Sequence, residues 1–212
     1  MARIDGIKWG VMVGGAVLLA GCYSVDYDTK VVLPEKGSTK VAVATVDERP
    51  YVLNHKNPSN YVGIIRGGFG NPFDRHTDDG KPLADEFSQS IVDSLADGGF
   101  AAIVVSDPPA ANADQAMAQL KQSGASRLVL LELREWQSDT YVNPTMNMDY
   151  TFHVYDGSGK ELATLTEKKD EDFHGGSIFN PVGNSNDKVV AYYQGKIQSW
   201  FSDPKVEAAL QN

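Results

Sequence analysis

The chain has little cysteine and little positive charge. One cysteine, Cys22, occurs among 212 residues, and 28 acidic residues outnumber 19 basic ones to give a formal net charge of −9. A lone cysteine cannot form a disulfide within the chain. The excess of acid argues against nucleic acid as a partner and against electrostatic docking on anionic lipid headgroups, because both depend on clustered Lys and Arg.

The chain also has only a short apolar run at its N-terminus. Residues 9–21 form an uncharged stretch of 13 residues behind two positive charges, whereas a transmembrane helix needs about 20. The stretch ends in Leu18-Leu19-Ala20-Gly21-Cys22, which resembles the lipobox of bacterial lipoproteins. We therefore predict that residues 1–21 are a lipoprotein signal peptide and that the Cys22 sulfur carries a diacylglycerol.

The lipid predicts a location. Two acyl chains suffice for stable anchoring, so the mature protein should stay on a membrane. Tyr23 follows the cysteine, where an aspartate would suggest retention in the inner membrane of a Gram-negative cell. By this resemblance we predict a lipid anchor in the bacterial outer membrane, facing the periplasm.

Loss of residues 1–21, which carry Arg3, Lys8 and Asp5, leaves 191 residues with a formal net charge of −10. That length suits one domain with its own core. The polar residues of 22–39 predict a lipidated N-terminus and tether. Residues 40–212 should then form a single α/β domain.

Hydrophobic periodicity predicts the elements of this domain. Strands are expected to start near residues 41, 101, 127, 145 and 160, and helices near 83, 112 and 186. The predicted fold is a single mixed β-sheet of about five strands packed by three helices, in the order β-α-β-α-β-β-β-α. The clearest helix has apolar residues at intervals of four, namely Leu83, Phe87, Ile91 and Leu95. The clearest hairpin has its turn at residues 156–159.

Several of these features resemble one family. They are the lipobox, a first strand ending in Val46-Asp47-Glu48-Arg49, a helix closing in Gly98-Gly99-Phe100, a hairpin strand centred on Tyr150, and a long final helix. Together they resemble YajG-like bacterial outer-membrane lipoproteins and, more distantly, envelope lipoprotein domains of the curli-pore type. The resemblance implies a periplasm-facing domain on a lipid anchor and no established reaction. The segment between Pro50 and Pro82 departs from it.

That segment is too long for a simple connection and too aromatic for a flexible linker. A partial echo of its Gly-Phe-Gly-Asn-Pro run appears at residues 175–181, and both runs lie between a strand and a helix. We predict that the two loops form a glycine-rich aromatic face that binds a protein partner, a second copy of the chain or an envelope glycan. The alternative is that both loops only pack down on the core. The candidate binding residues are Tyr61, Arg66, Phe69, Phe73 and Phe179.

Signatures of catalysis are missing from the sequence. The glycine run lacks the Gly-Lys-Ser/Thr ending of a P-loop, and no Gly-x-Ser-x-Gly elbow occurs. The four histidines lack metal-ligand spacing, although His76 and His174 lie near acidic residues that could converge on a cation. We predict a non-enzymatic protein with no catalytic residue, metal or cofactor. The alternative is an envelope hydrolase or glycan-modifying enzyme that uses carboxylates such as Asp47 and Glu48.

Overall fold

The computed structural model describes residues 24–67, 69–105, 109–174 and 181–211. Within these ranges the chain forms eight strands and five helices in one mixed α/β domain. In chain order they are β1 (Ser24–Val25), β2 (Lys40–Asp47), α1 (Pro50–Leu53), β3 (Tyr61–Arg66), β4 (Pro72–Thr77), α2 (Leu83–Asp97), β5 (Ala101–Val104), α3 (Ala113–Gln122), β6 (Arg127–Thr140), β7 (Pro144–Asp156), β8 (Glu161–Asp172), α4 (Pro181–Phe201) and α5 (Pro204–Gln211).

The long strand β6 organises the sheet. It pairs antiparallel with β7 from end to end, so β2 and β3 share its other edge. There β2 pairs in parallel with the first half of β6 and β3 with residues 138–140. The sheet then extends from β2 to β5, from β7 to β8, and from β3 through β4 to β1. Consequently one end of the sheet contains the C-terminal ends of β3 and β6 and the N-terminal ends of β4 and β7.

One face of the sheet carries the larger core. The predicted stripe of α2 is confirmed, because Leu83, Phe87, Ile91 and Leu95 are each 0% exposed. Helices α4 and α5 cover the neighbouring strands, and Trp200 of α4 stacks on Phe152 of β7 at 4.9 Å between ring centroids. None of the described helices is both long and apolar enough to cross a membrane.

The opposite face is covered only in part. Helix α3 packs on β2 and β6, where Ala116 and Leu120 meet Ala42, Ala44 and Val46. Val41 and Val43 of the same strand face the larger core, so β2 is buried on both faces, as its apolar run predicts. Beyond α3 this face carries charged side chains and opens into a cleft.

The predicted class, a mixed α/β sheet, is confirmed, but the predicted counts and order are wrong. Among the described residues the three additional strands are β1, β3 and β4, and the two additional helices are α1 and α5. The prediction treated the 50–82 segment as a loop. Gly63 interrupts β3, and β4 starts with proline and is mostly polar, so both strands carry weak local signals. Their pairing depends on the free edge of β6, which lies more than 60 residues further along the chain.

Residues 24–39 lie along the domain, although the sequence predicted a tether over 22–39. Strand β1 extends the sheet, and Tyr27 is 1% exposed. The Val31 N–H donates to Ser94 Oγ at 2.9 Å and the Gly37 N–H donates to the Gly98 carbonyl at 3.1 Å. These apolar residues are scattered among polar ones, so their burial depends on partners in α2.

Candidate functional site

Three exposed aromatic side chains lie at the end of the sheet where β3 and β6 finish. Ile65 of β3 is opposite Phe73 in β4 and opposite Thr140 in β6, so Phe73 and Tyr141, which follows Thr140, lie at neighbouring levels on either side of β3. Phe69, at the tip of the β3–β4 hairpin, is 98% exposed, Tyr141 is 50% exposed and Phe73 is 43% exposed. We call Phe69, Phe73 and Tyr141 the aromatic end.

Turn geometry does not account for Phe69. The Gly67 N–H donates to the Asn71 carbonyl at 2.9 Å, and the Gly70 N–H donates to the Gly67 carbonyl at 2.7 Å. These backbone bonds close the hairpin without the Phe69 side chain. Burying a phenylalanine contributes about 1.5–3 kcal/mol, which this residue forgoes in the isolated chain. The ring is therefore available for a contact outside the domain.

Arg66 positions the hairpin. Its guanidinium donates to both oxygens of Asp139, with Nε–Oδ1 at 2.9 Å and Nη2–Oδ2 at 2.6 Å. The two side chains are 36% and 39% exposed, so the pair contributes little net stability. The bidentate geometry still ties the end of β3 to the end of β6. Arg66, predicted as a binding residue, lies beside the aromatic end with its charge already paired.

Tyr61, also predicted as a binding residue, lies inside the domain. It is 6% exposed, and its ring lies edge-on to Tyr51 at 5.5 Å and to His76 at 6.3 Å. Burial raises the pKa of its hydroxyl to about 12. The structure therefore places Tyr61 behind the surface that Phe69 and Phe73 present, because it starts β3 at the far end of the hairpin.

Phe179 and Cys22 lie outside the described residues. The strand that leads into the second glycine-rich run can still be placed. Since β6, β7 and β8 are successively antiparallel, β8 runs parallel to β3 and ends at the same end of the sheet. The Phe173 N–H donates to the Pro144 carbonyl there at 2.9 Å.

Sequence reasoning missed Tyr141. It follows β6 in the short connection to β7, and nothing in its local sequence separates it from a residue that packs inward. The signal is the length of β6, because a strand that runs on to Thr140 places its next residue at the aromatic end.

A buried arginine holds the base of this region together. Arg75 of β4 is 0% exposed, and among the described residues no carboxylate pairs with it. Its Nη1 donates to Ser138 Oγ at 3.1 Å and to Ser185 Oγ at 2.9 Å, and its Nη2 donates to Asn186 Oδ1. Burial lowers the pKa of this guanidinium. These bonds join β4, β6 and α4 beneath the hairpin.

The carboxylates named for acid–base chemistry have separate roles. Asp47 accepts from Arg49, with Nε–Oδ1 at 2.8 Å and Nη2–Oδ2 at 2.7 Å. Arg49 is 0% exposed and also donates to the carbonyls of Ser59 and Tyr61, at 2.8 and 2.6 Å. Asp47 therefore secures the connection into β3. Glu48 points instead toward the cleft on the partly covered face.

This cleft has a volume of about 770 Å³. Burial raises the pKa of Glu48 and of Glu135, both of which line it. Glu135 accepts from the Tyr51 hydroxyl at 2.6 Å, and Arg134 donates to Asp149 at 2.8 Å. The remaining lining residues are Pro50, Leu53, Ala111, Asn112, Asn147, Met148, Lys168 and Asp170.

An acidic groove lies beside α2, lined by Asp26, Asp28, Asp78, Asp79, Asp85 and Glu86 among others. Burial, followed by a hydrogen bond and repulsion from Asp79, raises the pKa of Glu86 to about 7. Across the parts of the chain that the structure describes, no three His, Cys, Asp or Glu side chains come together in a metal-binding arrangement.

No family model and no curated protein matches the chain. Among solved structures it is similar to a Xanthomonas campestris protein of family DUF330, with 12% identity, a TM-score of 0.49 and coverage of 84% of this chain and 94% of that one. It is similar to dodecameric PelC from Paraburkholderia phytofirmans, with 16% identity, a TM-score of 0.45 and coverage of 86% and 96%. It is also similar to a Neisseria meningitidis lipoprotein, with 11% identity, a TM-score of 0.41 and coverage of 77% and 99%. These values are too low to establish a family or a shared function, and the resemblance to YajG-like lipoproteins stays a prediction.

Proposed function

We propose that this protein is a lipid-anchored lipoprotein of the bacterial outer membrane that faces the periplasm. Its role is non-catalytic, and it works by contact through the aromatic end. The lipobox around Cys22 supports the anchor. The single observation that carries the contact role is Phe69, which is 98% exposed at the tip of a hairpin that closes without it.

The anchor is tested by labelling. Cells that express the full chain and grow with labelled palmitate should incorporate the label, and the labelled protein should fractionate with the outer membrane. Cys22→Ala should remove the label and leave an unprocessed precursor. An unlabelled wild-type protein would contradict the proposal.

The contact role is tested by photocrosslinking in intact cells. A photoreactive phenylalanine at position 69 should form an adduct, because this side chain faces outward at the aromatic end. The matched control is position 162, where Leu162 is 39% exposed beside the β7–β8 turn at the other end of the sheet. Equal adduct formation at the two positions would show that the aromatic end has no specific contact.

A second function has one observation in its favour. The cleft holds two carboxyl groups, of Glu48 and Glu135, whose pKa values are raised by burial, and carboxyl groups with raised pKa values are candidates for general acid–base chemistry. The role would be that of an envelope hydrolase or glycan-modifying enzyme. Purified protein that cleaves an envelope glycan, with the activity lost in both Glu48→Gln and Glu135→Gln, would establish it in place of the non-catalytic role.

A further inference from the structure

The direction in which the chain enters the domain is set by β1. Strand β4 starts at Pro72, beside the hairpin tip, and runs away from the aromatic end. Strand β1 pairs with it in parallel, with Ser24 opposite His76 and Val25 opposite Thr77. Because parallel strands share a direction, the chain enters β1 from the side of the aromatic end.

This entry point is held firmly. Val25 is 0% exposed, and the carbonyl of Ser24 accepts from Asn186 Nδ2 at 2.8 Å. Asn186 in turn accepts from Arg75 of β4. The start of β1 is therefore bonded to both the sheet and α4.

The lipid-bearing residue cannot be far from this point. Cys22 precedes Ser24 by two residues, and two residues of polypeptide reach at most about 7 Å. Phe73 precedes His76, the partner of Ser24, by three residues, or about 10 Å along β4. A free tether over 22–39 would have allowed roughly 60 Å. The packing of residues 24–39 thus leaves only a two-residue link between the attachment site and Ser24, which the chain enters from the side of the aromatic end.

The chemistry of this end suits a bilayer surface. Trp and Tyr are enriched at membrane–water interfaces, and Phe is among the apolar residues that interfacial segments bury there. Asp139 already neutralises Arg66, and the mature chain is acidic, so attraction to anionic headgroups contributes nothing. Contact here would depend on apolar burial alone.

We propose that the occupant of the aromatic end is the lipid bilayer itself, with Phe69 inserted among the headgroups beside the Cys22 anchor. The proposal rests on the anchor of the proposed function. Two attachments at one end, a covalent lipid and an inserted hairpin tip, would orient the domain. The β7–β8 turn would then point away from the membrane.

Tryptophan fluorescence tests this orientation. Trp136 and Trp200 are 0% and 1% exposed, and Trp9 lies in the predicted signal peptide, so a tryptophan placed at position 69 reports its own surroundings. The lipidated full chain carrying Phe69→Trp would be reconstituted in phosphatidylcholine vesicles with brominated acyl chains. Bromine should quench the added emission at least twofold, equally at low and high salt.

The matched control is Leu162→Trp at the opposite end of the sheet, whose added emission should not be quenched. Tyr141→Trp provides a second position at the aromatic end and should be quenched in part. Palmitate-labelled protein in which positions 69 and 141 are quenched no more than position 162 would overturn this inference and leave the proposed anchor intact. An adduct from position 69 to protein and never to phospholipid would overturn it as well. Absence of palmitate would instead remove the proposed function.

Discussion

The β3–β4 and β7–β8 hairpins belong to one sheet but turn at opposite ends of it. The β7–β8 turn lies beside Arg127, where β6 begins, and the β3–β4 turn lies beyond the residues that pair with the end of β6. The β7–β8 turn is polar and satisfies its own hydrogen-bonding groups, because Asp156 Oδ1 accepts from the Ser158 N–H at 2.9 Å and from the Ser158 hydroxyl at 2.6 Å. The β3–β4 turn presents Phe69 to solvent.

The difference between the two turns shows which residues chain reversal needs and which it does not. Reversing the chain takes residues that allow the backbone geometry and satisfy its polar groups, and both hairpins have them. An exposed phenylalanine adds nothing to this. The β7–β8 turn is therefore an internal control for the β3–β4 turn, and it supports assigning the aromatic end to an external contact.

The largest expected effect comes from disrupting the base of the β3–β4 hairpin. Gly63 has a φ of 136°, and a β-carbon there would overlap the backbone of Ser138. Gly63→Ala should lower the free energy of unfolding by about 4 kcal/mol, because β3 must move away from β6. Gly70→Ala is the matched control: its φ is 80°, but the added carbon meets no described atom within 4 Å. It should cost about 1 kcal/mol, as measured by urea unfolding. Equal costs would show that contact between β3 and β6 is not what requires glycine.

The next effect concerns the connection into the same hairpin. Asp47→Asn would leave the buried charge of Arg49 without its carboxylate, and the free energy of unfolding should fall by about 3 kcal/mol. Asp139→Asn breaks a bidentate pair of the same kind at the exposed end of the hairpin, and its effect should be much smaller. Similar losses in thermal unfolding would mean that burial does not distinguish the two pairs.

A smaller, pH-dependent effect is expected in the polar turn. Hydrogen bonds from the Ser158 hydroxyl and the Lys160 N–H lower the pKa of Asp156. A lowered carboxyl pKa stabilises the folded chain above the unfolded value of about 3.9, and this stability disappears as the pH falls through the lowered value. Asp156→Asn should therefore be less stable than wild type at pH 7, and this difference in the free energy of unfolding should disappear as the pH falls below the lowered pKa of Asp156. A difference in free energy of unfolding that grows as the pH falls would contradict this assignment.

The smallest effect on stability is expected at the other tip. Phe69→Ser removes a side chain that is 98% exposed, so the free energy of unfolding should change by less than about 0.5 kcal/mol. Phe152→Ala, in the core beneath Trp200, should cost about 3–5 kcal/mol in the same measurement. A large loss in Phe69→Ser would mean that this ring packs within the domain, and the contact role would lose its support.

Local patterns allowed much of the fold to be predicted. The four-residue spacing in α2 matched a buried face, since this pattern depends on one element alone. The hairpin at β3 and β4 was not predicted, because its strands carry weak local patterns and pair through the distant edge of β6. The same limit applied to the candidate site. Phe69 and Phe73 are exposed as a binding role requires, whereas Tyr61, in the same 50–82 segment, is buried.

The sequence by itself determined the buried face of α2, because the period of a helix is set by neighbouring residues. Only the tertiary structure decided which aromatic residues remain exposed and which end of the sheet they share. It also decided that the chain approaches Ser24, two residues after Cys22, from the side of that end. These features depend on contacts between residues far apart in the chain, such as Ser24 with Asn186 and Arg66 with Asp139. Such contacts form only after the other strands have paired along β6.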